Sequence, residues 1–267
     1  MLRVASYLAE NARPLYEAIT RHLGDRLAEP AQLLPGIPVA EQSRDLGAPA
    51  FDLAFLCGWP YTQKHDRGGS PIDLLGAPVM AGPRYGARPV YFTDVIVRHD
   101  HPARAFADLR GATWSYNNPG SHSGYNVVRH HLLELGETRG YFGRVVCGGW
   151  HQGSIQLVLD GAIDAAGVDC TVLDTEVAAR PELATALRTI AVIGPSPIPP
   201  VVVPRALDPA RKARLRALLL GMAEDPDGRA VLQAGRMAGF VPVQDADYNL
   251  IRAMVRRAEA TGFLTLR

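Results

Sequence analysis

With 267 residues, 47% of them hydrophobic and 21% charged, the chain can bury a sizeable core, and it exceeds the roughly 150 residues of a usual single domain. Two lobes around one cleft, or one large α/β domain, are the natural options. A formal net charge of +1 argues against nucleic acid as the main partner, because binding a phosphate backbone needs a basic face, and no stretch is apolar and long enough to span a bilayer.

In chain order, Arg3-Val4-Ala5-Ser6-Tyr7 reads as a first strand rather than as the charged start and apolar run of a secretory leader. Residues 12–27 read as a helix with Leu15, Ala18, Ile19, His22 and Leu23 on one face. Residues 51–57 form a buried strand that ends in the turn Gly58-Trp59-Pro60-Tyr61, which would present Trp59 and Tyr61 to a cleft. Val79-Met80-Ala81 and residues 91–98 follow as strands, the second long enough to cross between lobes.

The next stretch carries the strongest functional signal. Trp114-Ser115-Tyr116 is a short strand, Asn117-Asn118-Pro119-Gly120 breaks it, and Ser121 and Ser123 can cap a helix on which Val128, Leu132 and Leu135 recur until Gly136. The first turn of a helix has unpaired N–H groups and a partial positive charge, so these amides and two hydroxyls can converge on a tetrahedral oxyanion or a carboxylate. No lysine or arginine is needed for that. Residues 145–154, with Gly148-Gly149-Trp150-His151, repeat the pattern of strand, glycine turn and helix start. That helix buries Ile155, Val158 and Leu159, ends at Gly161, and is followed by the buried strand Ala162 to Asp169, whose last residue is a carboxylate.

Beyond residue 190, Gly194-Pro195-Ser196-Pro197-Ile198-Pro199-Pro200 cannot be helical and reads as a stiff extended crossing. Two crossings imply a hinge, and a hinge implies closure on a ligand. Residues 209–220 and 248–261 read as amphipathic helices packing on the first lobe.

Three cysteines, Cys57, Cys147 and Cys170, have neither C-x-x-C spacing nor an even number, so free thiols are expected, with Cys57 and Cys147 at strand ends. His130-His131 directs its rings apart on a helix, and no metal site or cofactor is expected. Gly120-Ser121-His122-Ser123-Gly124 has histidine where a nucleophile elbow needs serine, and no phosphate-binding glycine loop of the Walker or dinucleotide type occurs.

Taken together, Tyr91-Phe92-Thr93-Asp94, Asp108-Leu109-Arg110-Gly111, Ser121-His122-Ser123-Gly124-Tyr125, Trp150-His151-Gln152-Gly153-Ser154 and Gly161-Ala162-Ile163-Asp164 resemble, in order and spacing, the PhnD-like phosphate, phosphite and phosphonate binding proteins of ABC importers. The resemblance implies an α/β fold of the two-lobed periplasmic-binding-protein type II kind. Each lobe would be a mixed sheet flanked by helices, with the ligand cleft between them. Residues 1–95 and 194–267 would form the first lobe and 96–193 the second, with hinge crossings near 92–98 and 190–200. It also implies that Ser121, His122 and Ser123 grip oxyanion oxygens, that Tyr91 and His151 add contacts, and that Asp169 helps select the rest of the ligand.

Two departures stand out. His122 lies where a small hydroxyl residue is common, and Trp150 where serine is more usual. Both make the pocket bulkier, and Trp59, Tyr61 and Trp150 could stack on a ring or enclose an ammonium group. The expected function is therefore solute binding without chemistry, for a phosphonate-like or phosphate-like ligand with an organic, aromatic or amine side group. The protein would work as a monomer with a membrane permease as partner. It would be periplasmic if a leader has been removed and cytoplasmic if Met1 is the native start. The alternatives are a cytoplasmic enzyme resembling chorismate dehydratase, with Ser121 or Ser123, His151 and Asp169 as conceivable triad members, or a ligand-sensing subunit.

Overall fold

A computed structural model of the chain describes residues 1–35, 51–67 and 71–266. The chain divides into two compact units, one made of Met1–Val90 with Pro197–Asn249, the other of Tyr91–Ser196 with Leu250–Arg267. In chain order the strands are β1 (Leu2–Ser6), β2 (Ala31–Leu33), β3 (Leu53–Phe55), β4 (Ile72–Met80), β5 (Val90–Arg98), β6 (Thr113–Tyr116), β7 (Arg144–Cys147), β8 (Ala165–Asp169), β9 (Leu187–Pro197), β10 (Val201–Pro204) and β11 (Met237–Val241). Among the described residues no helix is long and apolar enough to cross a membrane.

The first unit is built on a mixed six-stranded sheet in the order β11-β4-β10-β3-β1-β2. β1 pairs in parallel with β2 and β3, while β10 runs antiparallel to β3 and β4. The helix Arg13–Leu27 buries Tyr16, Ile19, Leu23 and Leu27, and the Tyr16 ring stacks on Phe55 with centroids 4.2 Å apart. Where the sequence suggests a turn at Gly58-Trp59-Pro60-Tyr61, a helix runs over Gly58–Asp66. Pro60 is its third residue, where the backbone N–H would have no intrahelical partner anyway, so the ring is tolerated.

A mixed five-stranded sheet in the order β7-β6-β8-β5-β9 organises the second unit. β6 lies parallel to β7 and β8, and β5 antiparallel to β8. Ile96, Ala166 and Val168 from the sheet meet Ile155 and Val158 from the helix His151–Leu159, and Leu173, Leu183 and Leu187 complete that cluster. Gly167 of β8 is where other core groups close in. A methyl there would lie 3.0 Å from the Trp114 ring, 3.1 Å from Val128 and 3.2 Å from Thr93, so a side chain larger than glycine's would have to push these neighbours aside.

The last helix, Asn249–Thr261, buries Ile251, Met254 and Ala258, as its periodicity suggests, but from Leu250 onward the chain belongs to the second unit and not to the first. Periodicity identifies an apolar face without saying what covers it. Polar contacts decide the matter here. Arg257 Nη2 donates to the Leu133 carbonyl at 3.2 Å, Arg129 Nη1 to the Leu264 carbonyl at 2.9 Å, and the Leu266 N–H to Tyr125 Oη at 3.1 Å. Tyr125→Phe should therefore lower stability by about 1–2 kcal/mol, because it leaves the buried Leu266 N–H without an acceptor. Urea unfolding measures this, and an unchanged midpoint would show that the tail is not anchored through Tyr125.

Candidate anion-binding site

Ser121 opens the helical run in an extended conformation, and its Oγ accepts the Gly124 N–H at 3.1 Å. The first turn, His122–Asn126, is a π turn, and the α-helix proper follows over Val127–Glu134. Val128 and Leu132 are buried in it, whereas Leu135 lies at the C-terminal cap and is exposed. Of the two serines that could cap, Ser121 does so, and the Ser123 hydroxyl is left for another partner. That partner is His151 Nε2, 3.3 Å away. The two helix starts, separate in sequence, are thereby brought into one corner of the second unit.

The corner is braced from the sheet. Thr93 on β5 donates its hydroxyl to the Ser123 carbonyl at 2.9 Å, and Ser115 on β6 donates to Ser154 Oγ at 2.9 Å, which holds the first turn of the His151 helix against the strand. The Tyr91 ring lies with its centroid 6.3 Å from that of His122. Gly124 is required by close approach, since a side chain there would run into the Asn117 amide and pass 3.2 Å from the His151 ring. Ser121, His122, Ser123, Tyr91 and His151 are all buried.

Of the remaining expected site residues, Asp169 ends β8, directly opposite Thr93 in register. Its Oδ1 accepts from the Thr171 N–H at 2.8 Å and from Thr171 Oγ1 at 2.7 Å, so that oxygen caps the helix Cys170–Ala179. Trp150, the cap residue before His151, is partly exposed. Trp59 and Tyr61 belong to the first unit, where both are buried in the helix Gly58–Asp66 and Tyr61 Oη donates to Asp245 at 2.9 Å. The cysteines are free, with Cys170 buried and Cys147 exposed.

Four residues that support the corner were not singled out from sequence: Thr93, Asn117, Asn126 and Arg129. His122, Asn126 and Arg129 stand at i, i+4 and i+7, a polar stripe on an otherwise apolar helix face, and that spacing is the signal that could have found them. Asn126 Nδ2 lies 3.2 Å from His122 Nδ1, and Arg129 Nη2 donates to Asn126 Oδ1 at 2.8 Å. Among the described residues His122 Nε2, His151 Nδ1 and Asn117 Oδ1 are buried side-chain atoms without a hydrogen-bond partner.

Burial sets the protonation of the corner. Desolvation, with a smaller push from His130, lowers His122 to about 3, and desolvation lowers His151 to about 3. Both imidazoles are therefore neutral at physiological pH. Asp169 is pushed the other way, up to about 6, by its own burial, against the hydrogen bonds from Thr171.

These shifts have opposite signs in folding. Each histidine takes up its proton near pH 6.5 in the unfolded chain and only near 3 in the folded one, so its share of stability is complete above 6.5 and is lost as pH falls from there. Asp169 binds its proton first in the folded chain, so it adds stability as pH falls from about 6 towards 4. Two histidines outweigh one aspartate, and the chain should lose stability below pH 6.5. His151→Asn should flatten that limb by about 1.4 kcal/mol per pH unit, and Asp169→Asn should steepen it. Urea midpoints from pH 7.5 to 5 decide, and a wild-type profile that is level over this range would contradict neutral burial of the pair.

Residues 3–248 match the model of a family described as ABC transporter, phosphonate, periplasmic substrate-binding protein. Among solved structures, the binding protein component of an ABC phosphonate transporter from Pseudomonas aeruginosa is similar with a TM-score of 0.81 at 17% identity, covering 98% of this chain and 87% of that one. PhnD1 from Prochlorococcus marinus in complex with methylphosphonate has a TM-score of 0.83 at 14% identity, covering 97% of this chain and 98% of that one. The alkanesulfonate-binding protein SsuA from Xanthomonas axonopodis pv. citri, bound to MOPS, has a TM-score of 0.63 at 15% identity, covering 99% and 94%. At these identities the likeness shows the fold, two mixed sheets flanked by helices as in the two-lobed periplasmic-binding proteins, and the family match adds the biological class. The chain belongs to the family of periplasmic substrate-binding proteins of phosphonate ABC transporters.

Proposed function

We propose that this chain binds a small molecule bearing a tetrahedral oxyanion, of the phosphonate or phosphate type, with Ser121, His122, Ser123 and His151 supplying its hydrogen bonds and Tyr91 packed beside them. One observation carries the reading. The Ser123–His151 contact at 3.3 Å joins two helix starts whose segments, residues 113–126 and 145–154, contain no lysine or arginine. Amides of a first helical turn, two hydroxyls and neutral imidazoles hold an anion by dipoles rather than by a counter-ion, which favours a compact group with several acceptor oxygens.

Methylphosphonate, the ligand in complex with PhnD1 from Prochlorococcus marinus, is a small ligand of that type. Trp150 stands next to His151 with part of its ring in solvent, and in this reading it offers an aromatic face to an organic side group on the ligand. The chain acts as a binding component without chemistry of its own, works as a monomer in the periplasm, and passes its ligand to a membrane permease. Membership of a transport family supports that assignment over the enzyme and sensor alternatives.

Isothermal titration with methylphosphonate, inorganic phosphate and methanesulfonate tests the reading. Wild type should bind a phosphorus oxyanion. Ser121→Ala/Ser123→Ala should weaken that binding by on the order of a hundredfold, at about 1–3 kcal/mol for each hydrogen bond to a charged group. Equal affinity in the double variant would remove the site assignment, and binding of methanesulfonate alone would remove the ligand class.

A further inference from the structure

His122 occupies the middle of the Ser-x-Ser loop, and its neighbours decide which ring nitrogen carries the proton. Nδ1 faces Asn126 Nδ2 at 3.2 Å, and the other end of that amide, Oδ1, faces Arg129 Nη2 at 2.8 Å. A guanidinium donates and never accepts, so the amide atom facing Arg129 must be the oxygen and the atom facing His122 must be the NH2. An NH2 donates in turn. Nδ1 is therefore the accepting nitrogen, and the single proton of the neutral imidazole sits on Nε2.

Arg129 is itself fixed. Its Nη1 donates to the Leu264 carbonyl at 2.9 Å, so the C-terminal tail holds the guanidinium that orients the amide that orients the ring. His122 is 0% exposed, and its Nε2 has no partner among the described residues. A buried N–H so prepared needs an acceptor from outside the described side chains.

We infer that His122 is a donor-only specificity contact of the anion corner, presenting Nε2–H to one ligand oxygen, and that Asn126 and Arg129 are the positioning residues that set this polarity. The inference rests on the reading of the corner as the oxyanion site. A small hydroxyl at this place could donate or accept, and so could meet a ligand oxygen with or without its proton. An Nε2–H can only donate, so the ligand atom it meets must accept, and the contact discriminates against a group that can only donate there, such as an ammonium.

The polarity can be reversed by Asn126→Asp, which keeps the shape and leaves Arg129 an acceptor but replaces the NH2 with an oxygen. Nitrogen-15 NMR of the histidine rings, on the ligand-free full chain at pH 8, reads the tautomer directly. Wild type should show a protonated Nε2 and a bare Nδ1 at His122, and Asn126→Asp should show the proton on Nδ1. In the same samples methylphosphonate should bind at least tenfold more weakly to Asn126→Asp than to wild type. His122→Phe, which keeps a ring and removes the donor, should lose at least as much, and it serves if the aspartate variant does not fold. A wild type that binds methylphosphonate but carries the proton on Nδ1 overturns this inference alone, as does undiminished affinity in His122→Phe. A wild type that binds no phosphorus oxyanion overturns the reading beneath it.

Discussion

The contact between the Ser123 hydroxyl and His151 Nε2, at 3.3 Å, is the interaction on which the rest of the site depends. Each helix start alone is an ordinary structural feature, with a few amides that water would satisfy. Joined, they aim donors from two segments of the chain at one place. The sheet makes the junction possible, because β6 precedes the first helix start, β7 precedes the second, and the two strands lie side by side and parallel in register from Thr113 opposite Arg144 to Tyr116 opposite Cys147. Parallel neighbours deliver their following helices to the same edge of the sheet, where ligand groups collect in α/β folds. Thr93 and Ser115 then fix the two turns to the strands beneath them.

Burial gives the corner its electrostatic character. An exposed histidine would be partly charged near neutral pH, whereas His122 and His151 are held at about 3 by desolvation and enter the site as neutral donors or acceptors. Neutral groups have a direction, and the direction must be set by something. For His122 it is set by the chain of bonds through Asn126 and Arg129 to the Leu264 carbonyl. The C-terminal segment, far away in sequence, thus reaches the turn that carries His122 through three polar contacts. The same segment supplies polar partners to Tyr125 and Arg129, both buried in this helical run.

Much of the second unit was legible in the sequence because local rules and tertiary structure agree there. The strand-turn-helix pattern around Ser121, the helix stops at Gly136 and Gly161, both with positive φ, and the buried strand ending at Asp169 each follow from spacing and turn chemistry. What sequence could not supply was direction and company. Trp59 and Tyr61 lie on the helix Gly58–Asp66 and are buried in the first unit; Gly58-Trp59-Pro60-Tyr61 reads as a turn, but a proline in the first turn of a helix is tolerated. The apolar stripe of the last helix carries no address, and the bonds that join Tyr125, Arg129 and Arg257 to their partners place the chain from Leu250 onward in the second unit. Ser123 and His151 were each expected in the site from the resemblance, but the bond between them is a tertiary fact. The stripe of His122, Asn126 and Arg129 is present in the spacing, but polar residues at helical spacing ordinarily mark a solvated face, so spacing alone does not separate a buried network from a surface one.

The most direct measurement is a crystal structure of the chain grown with methylphosphonate. The account predicts phosphonate oxygens within hydrogen-bond distance of the Ser121 and Ser123 hydroxyls and of His122 Nε2, with no arginine or lysine side chain touching them. A phosphonate bound elsewhere, or held in this corner by a guanidinium or ammonium group, would contradict the claim that aligned neutral donors are what hold the anion.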